Sequence, residues 1–166
     1  MSPRATRFPF DPKSTAHLRP GMFWPIVLAD GAFGAGVVLG VPRADDPHLP
    51  QSSRIFVAGL VDWFGIAAPA VDDLVGARLI TWGTAHVKSI SATSDGVGLT
   101  GAASTDWNGV AMVSHRGGGQ VAVYVNGAMR GPATASEAMD MPVLATWGLT
   151  FVRALAERRL AARTAS

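Results

Sequence analysis

The sequence predicts an α+β fold: a mainly antiparallel, curved or barrel-like β-sheet with a short internal helix and a long C-terminal helix. Two pairs of apolar, β-rich segments predict the sheet. One pair flanks Asp30-Gly31, and the other frames the sequence HRGGG. The long helix is predicted by apolar residues that recur every three or four positions after Asp140. Together these patterns are typical of an antiparallel sheet covered by a helix.

The first hairpin is predicted between the segments Met22 to Leu28 and Phe33 to Val41. Both segments are apolar and rich in residues that favour strands. Between them, Asp30-Gly31 is a dipeptide typical of tight hairpin turns, because it tolerates a left-handed backbone. The two strands are therefore expected to lie antiparallel and adjacent.

The glycines of the second strand raise an alternative, a loop that binds a nucleotide phosphate. Gly34, Gly36 and Gly40 are spaced G-x-G-x-x-x-G, one residue out of register with the dinucleotide-binding pattern. The residues after Gly36 are β-branched and end at Pro42, so no helix is expected there to hold a phosphate. Glycines that permit close backbone approach or a bulge are the favoured interpretation.

The remaining elements follow from turn and helix signals. PAVDDLVGA predicts a short helix or turn, with Pro69 near its start and Gly76 near its end. Val110 to Ser114 and Gln120 to Val125 predict a second hairpin, and Asn126-Gly127 a further turn.

The C-terminal helix is predicted to begin at Asp140. Asp140 is a suitable N-cap, and Pro142 falls in the first turn, where a missing N–H is tolerated. The predicted apolar stripe consists of Leu144, Trp147, Phe151 and Leu155. A helix that covers the sheet is the expected role.

Length and composition predict one folded domain preceded by an arm. With 166 residues, of which 48% are hydrophobic, the chain is long enough for a sizeable core. Residues 1–20 contain several prolines and are expected to form an extended proline-rich arm, which Phe8 and Phe10 attach to the body. Residues 21–166 are expected to form a single α+β domain.

The charge distribution argues against nucleic-acid binding. Residues 1–20 and 151–166 each carry a net charge of +3, whereas residues 21–150 carry −4. A nucleic-acid-binding domain concentrates its basic residues on the folded body. No apolar run is long enough for a membrane span, and the N-terminal segment does not resemble a secretory signal, so a cytoplasmic location is expected.

No catalytic or metal-binding motif is found in the sequence. The four histidines, His17, His48, His86 and His115, lie in different segments without metal-ligand spacing, and the chain has no cysteine. No metal or cofactor is therefore expected. Asp62 interrupts an apolar segment, and if it is buried it requires a partner such as Arg78. A structural ion pair is the favoured interpretation of Asp62.

Candidate residues for binding a partner lie in polar loops. Trp107, flanked by Asp106 and Asn108, is the candidate interface contact if it is an exposed loop tryptophan, although packing at the domain edge is the commoner outcome for such a residue. Two acidic pairs are expected to be solvated and to steer a basic partner: Asp45, Asp46, Asp72 and Asp73.

The segment from Gly21 to the end of the second predicted strand resembles the opening of the Imm26 family of bacterial immunity proteins. That opening has an apolar strand with a proline, a polar residue with glycine, an aromatic residue, and then Gly-x-Gly before a second strand. The matching positions are Gly21, Phe23, Pro25, Leu28, Gly31, Phe33, Gly34 and Gly36. Met22 stands where the family has an acidic residue, and the resemblance covers about twenty residues.

The resemblance implies a non-enzymatic protein that binds a cognate polymorphic toxin and neutralises it. The mildly acidic body is compatible with a basic protein partner. Two alternatives remain open. One is a small-ligand-binding or structural β-barrel domain, and the other is a hydrolase-like enzyme whose residues meet only in three dimensions, for instance Asp62, His86 and His115.

Overall fold

The structure, a computed structural model, describes residues 5–104, 106–116 and 119–164, with side chains through residue 160. The described residues form two β-sheets, three α-helices and a short 3-10 helix. The strands are β1 (Met22–Val27), β2 (Phe33–Gly40), β3 (Ile55–Val61), β4 (Leu79–His86), β5 (Gly101–Ala102), β6 (Ala111–Ser114), β7 (Ala122–Val125), β8 (Ala128–Pro132) and β9 (Thr146–Trp147). The helices are α1 (Lys88–Thr93), α2 (Ala135–Asp140), α3 (Phe151–Thr164) and the 3-10 helix Val71–Leu74.

The predicted α+β class with mainly antiparallel strands is confirmed. The large sheet has the order β5-β1-β2-β3-β4-β9 and the small sheet the order β6-β7-β8; every pairing is antiparallel except that of β4 with β9. The barrel prediction is wrong, because within the described residues the outer strands β5 and β9 do not pair with each other. Each has only two residues, which supply too few ladder hydrogen bonds to close a sheet.

The first hairpin forms as predicted. In β1 and β2, Trp24 lies opposite Gly36. The turn places Gly31 at φ +82°, and the Asp30 carboxylate accepts the N–H of Ala32 at 2.9 Å. Because β2 continues as a strand to Gly40, no helix begins at these glycines, and the phosphate-loop alternative is excluded.

Close packing of an aromatic ring explains Gly36. The ring of Trp24 lies across the Gly36 backbone, so that even a methyl group there would overlap it. The Trp24 indole N–H donates to Thr93 Oγ1 at 2.9 Å, which fixes the ring in this position. Gly36 is therefore required by the cross-strand contact and not by a ligand.

One face of the large sheet packs against the helices. A hydrophobic cluster joins Trp24 and Phe56 of the sheet to Ile90 of α1 and to α3. The buried residues of α3 recur every four positions: Val152, Ala156 and Leu160. This cluster is the largest part of the core.

The opposite face of the large sheet packs against the small sheet. Val57 and Trp82 of the large sheet share a cluster with Met112 and Tyr124 of the small one. The predicted β6–β7 hairpin is confirmed. The turn Asn126-Gly127 is also confirmed: φ is +48° at Asn126 and +85° at Gly127, the left-handed pair that a two-residue hairpin turn requires.

The C-terminal helix is shorter than predicted, because it begins at Phe151 and not at Asp140. Asp140 is the last residue of α2, and the following segment is extended: Leu144 N–H donates to Val113 O at 2.8 Å. Trp147 then forms the parallel bridge to β4. The apolar residues of this segment have helical spacing, but its backbone forms hydrogen bonds to neighbouring strands instead, and these partners are available only in the folded chain.

The N-terminal arm follows an irregular course along the helical side of the large sheet. Phe8 and Phe10 pack against the main cluster, as expected, and Phe10 forms backbone hydrogen bonds with Leu99 at 2.7 and 2.8 Å. Pro3 of the predicted arm lies outside the described residues. Among the described helices, none combines the length and hydropathy needed to cross a bilayer.

Candidate partner-binding surface

The connection between β3 and β4 carries two of the predicted binding residues, Asp72 and Asp73. It leaves the sheet at Val61, and Gly65 exchanges backbone hydrogen bonds with Phe33 at 2.8 and 3.1 Å, which extends the pairing beside β2. The ring of Trp63 lies against Gly65, where a side chain would overlap it. The start of the connection is thus held by the sheet.

The 3-10 helix in this connection has one buried and several exposed side chains. Leu74 is buried in the second hydrophobic cluster, with Phe23 and Val37 of the sheet. The Asp73 carboxylate accepts the N–H of Ala70 at 2.8 Å and so closes the first turn. The prediction of a short helix or turn is confirmed, and both Asp72 and Asp73 are exposed as expected.

Three large apolar side chains of the same connection are exposed. Ile66 is 91% exposed, Val75 67% and Val71 45%. We call the exposed side chains of Ile66, Val71, Asp72, Asp73 and Val75 the β3–β4 face. It combines apolar area with two carboxylates.

Trp107 packs on the same cluster as this connection. Its side chain is partly buried against the second cluster, as are those of Trp63 and Val110. Packing at the domain edge, the commoner outcome expected for such a tryptophan, is therefore what the structure shows, and the interpretation of Trp107 as an exposed loop residue is wrong. Apolar residues that are distant in sequence create this cluster, so the polar local sequence around Trp107 does not reveal it.

A turn residue of the small sheet holds the Trp107 loop. The Asn126 side chain accepts the N–H of Val110 at 3.0 Å and donates to Asn108 O at 3.3 Å. The side chains of Asp106 and Asn108 remain exposed. The Trp107 Nε1 atom is buried and has no hydrogen-bond partner among the described residues.

A cleft of about 460 Å³ separates this loop from the ends of β3 and β4. It is lined by Asp62 and Arg78 on one side, by Asn108 on the other, and by Arg159 of α3. The predicted Asp62–Arg78 ion pair is confirmed, with an N–O distance of 3.2 Å and an Asp62 side chain only 13% exposed. The structure thus brings Asp62, Arg78 and the Trp107 loop together.

The other acidic pair lies elsewhere and does not behave as a pair. Asp45 is exposed and forms an ion pair with Arg43 at 3.1 Å. The expectation that Asp46 is solvated is wrong, because it is 8% exposed and accepts the hydroxyl of Tyr124 on both oxygens at 2.7 Å. A carboxylate this deeply buried stabilises its own loop and is not available to steer a partner.

The residues of the enzymatic alternative do not converge. Asp62, His86 and His115 line three separate cavities. His115 shares a cleft of about 290 Å³ with His48, whose Nδ1 bonds to the backbone carbonyl of Arg116. The sequence analysis missed this pair, and the separation of His48 from His115 along the chain provides no local signal for it.

The described residues contain no group of histidine and acidic side chains able to hold a metal ion. Comparison of the chain with protein-family models, curated proteins and solved structures gives no match. The resemblance to the Imm26 family therefore stays a prediction that rests on the residues of the first hairpin.

Proposed function

We propose that this protein is a non-enzymatic binding module that engages a basic toxin protein in the cytoplasm and blocks it. The observation that supports this proposal best is the β3–β4 face, where the most exposed large apolar side chain, Ile66, lies in the same connection as Asp72 and Asp73. The resemblance to immunity proteins supplies the class of partner.

The physical argument starts from the cost of exposed apolar area. A side chain such as Ile66, 91% exposed, loses the free energy that burial would provide, about 1.5–3 kcal/mol for a residue of this size. Exposed apolar area of this kind, here three side chains of one connection, is typical of interaction surfaces. The neighbouring carboxylates favour a partner with basic residues and accelerate its approach.

The β3–β4 face is also held in place before a partner arrives. Buried Leu74 anchors the 3-10 helix to the sheet, and the Asp73 carboxylate closes its first turn. A surface ordered in advance loses little conformational entropy on binding. This rigidity favours tight blockade of one protein over adaptable binding of many.

Co-expression with a toxin tests the proposal. A secreted toxin encoded directly upstream of the gene for this chain is expected, and its toxic domain should stop growth unless this chain is present. The double variant Ile66→Ser/Val75→Ser should lose protection, because truncated anchor residues at interfaces cost about 2 kcal/mol or more each. Growth in liquid culture is the measurement.

Met139→Ser is the matched control, since Met139 is 85% exposed but lies on α2, outside the β3–β4 face. It should protect as fully as the unaltered chain. Both variants should keep the thermal midpoint, because exposed substitutions change stability by about 0.5 kcal/mol or less. Failure of the unaltered chain to protect contradicts the function, whereas full protection by the double variant contradicts only the surface.

A further inference from the structure

A third cleft lies at the opposite end of β3 and β4 from the Asp62–Arg78 pair. It has a volume of about 320 Å³, and its walls come from the arm (Asp11 and Lys13), from Arg54 before β3, and from the β4–α1 junction. Ile55 pairs with His86 across the sheet, and Val87 N–H donates to Arg54 O at 2.8 Å. These bonds place Arg54 beside His86 and Lys88.

The cations of this cleft exceed the acids that neutralise them. Lys13 is paired with Asp11 at 2.6 Å, and the Asp11 carboxylate also accepts the hydroxyl of Ser91. Arg54 and Lys88 form no ion pair within the described part of the chain. Two positive charges therefore line the same cleft without a counter-ion, an arrangement that becomes favourable when an anion binds.

The ring of His86 presents a hydrogen-bond donor in the same cleft. Its Nδ1 accepts the N–H of Lys88 at 3.0 Å, so the neutral ring carries its proton on Nε2. Nε2 forms no hydrogen bond to any described residue. Burial, with smaller effects from Lys88 and Arg54, holds the pKa of His86 below its ordinary value of 6.5.

We propose that the cleft formed by Arg54, His86 and Lys88 binds a small anionic ligand of the phosphate-monoester class. The charge matches, because a phosphate monoester carries a charge of about −1.5 to −2 at neutral pH and the two unpaired cations supply +2. Arg54 contributes a planar donor group suited to two oxygens, and Lys88 a compact charge. This site is independent of the proposed protein-binding function.

The size of the cleft also fits a small ligand. Its volume is at the lower end of about 300–1,000 Å³ that small-molecule pockets occupy, which leaves room for a phosphate and a modest organic group. A nucleic acid needs a track of cations along several phosphates. Residues 21–150 carry a net negative charge, which repels the phosphates of a nucleic acid outside the cleft. A ligand with one phosphate group therefore fits this site better than a nucleic acid.

Titration with sulfate tests the site, since sulfate stays dianionic while His86 titrates. NMR spectra of the histidine rings, at constant ionic strength, should show saturable binding that shifts the His86 resonances and raises the pKa of His86. By linkage, sulfate should bind about three- to tenfold more tightly when His86 is protonated, which corresponds to a pKa increase of about 0.5–1. Inorganic phosphate should compete with sulfate for the same site.

Arg54→Gln and Lys88→Gln should each weaken sulfate binding about tenfold or more, because each removes a charge-assisted hydrogen bond. Both residues are exposed, so the variants should fold. Arg43→Gln is the matched control and should leave binding unchanged, as Arg43 lies outside the cleft and is paired with Asp45. Equal weakening by all three variants, or a shift that never saturates, would overturn the proposal. So would an RNA oligomer that binds through several phosphates and excludes sulfate.

Discussion

Substitution of Tyr124 by phenylalanine tests whether a buried hydroxyl–carboxylate contact holds the segment 42–53 on the small sheet. The Tyr124 side chain is fully buried, and its hydroxyl donates to both oxygens of Asp46 at 2.7 Å. The carboxylate accepts one further hydrogen bond, from the N–H of His48 at 2.8 Å. The substitution leaves the shape of the ring intact and removes only the hydroxyl.

The expected loss of stability in Tyr124→Phe depends on the hydrogen bonds that the Asp46 carboxylate keeps. Asp46 is 8% exposed, and after the substitution its carboxylate keeps one hydrogen bond among the described residues, from the His48 N–H. Hydrogen bonds to charged groups contribute about 1.5–3 kcal/mol, and the loop has room to relax toward water, so we expect a loss of about 2 kcal/mol. For a domain of this size the melting temperature should fall by about 4–8 °C.

Urea unfolding followed by tryptophan fluorescence measures the loss. Asp45→Asn is the matched control: Asp45 is the exposed neighbour, paired with exposed Arg43, so this substitution should leave the free energy of unfolding nearly unchanged. Asp46→Asn should be as harmful as Tyr124→Phe, and the double variant should cost less than the sum. A Tyr124→Phe loss below about 0.5 kcal/mol would refute the reasoning.

The burial of Tyr124 beside Asp46 should also make the free energy of unfolding decrease at alkaline pH. Burial, reinforced by Asp46, raises the pKa of Tyr124 far above its ordinary value of 10.0, and Tyr124 is the single tyrosine of the chain. Above this ordinary value the unfolded chain releases a proton that the folded chain retains, so stability falls as pH rises. The phenolate absorbance should therefore appear together with unfolding, and the alkaline loss of stability should be smaller in Tyr124→Phe.

Substitutions at two further sites, Gly36 and Trp107, test the packing. Gly36→Ala should lower the free energy of unfolding by about 1–3 kcal/mol, because the new methyl group overlaps the Trp24 ring. Gly40→Ala is the control and should lower it less, because the space at that position is open. Equal melting temperatures for the two variants would contradict the contact between Gly36 and Trp24. Trp107→Ala should cost about 2 kcal/mol, since this side chain is partly buried against the second cluster. Trp107→Phe should cost less, because it removes an indole N–H for which the described part of the chain supplies no hydrogen-bond acceptor. Denaturant unfolding measures both losses, and an unchanged midpoint in Trp107→Ala would place the ring in solvent.

Local turn chemistry made the hairpins predictable. Asp30-Gly31 and Asn126-Gly127 favour the left-handed backbone that tight turns need, and both turns form where the sequence predicts them. A local sequence signal of the same kind marks the start of α2. Thr134 and Glu137 form a reciprocal capping box at its start, and the Thr-x-x-Glu spacing is visible in the sequence.

The prediction of a helix from Asp140 is wrong, and the cause lies in contacts with strands that are distant in the sequence. Leu144 and Trp147 have helical spacing, yet their backbones pair with β6 and β4, and their side chains reach two different clusters. Even in α3 the buried stripe begins at Val152 and not at the predicted Phe151, which is 38% exposed. The actual start of a helix decides which of its residues face the core.

By itself, the sequence determined where the chain turns, because a turn depends on the backbone preferences of two or three neighbouring residues. Only the tertiary structure decided which polar groups are buried, since the partner that makes burial tolerable lies far along the chain. Asp46 illustrates this, with its hydroxyl partner 78 residues away. The cations Arg54 and Lys88, which form no ion pair with any described residue, are a second example: β3 and β4 must pair before the two charges share one cleft.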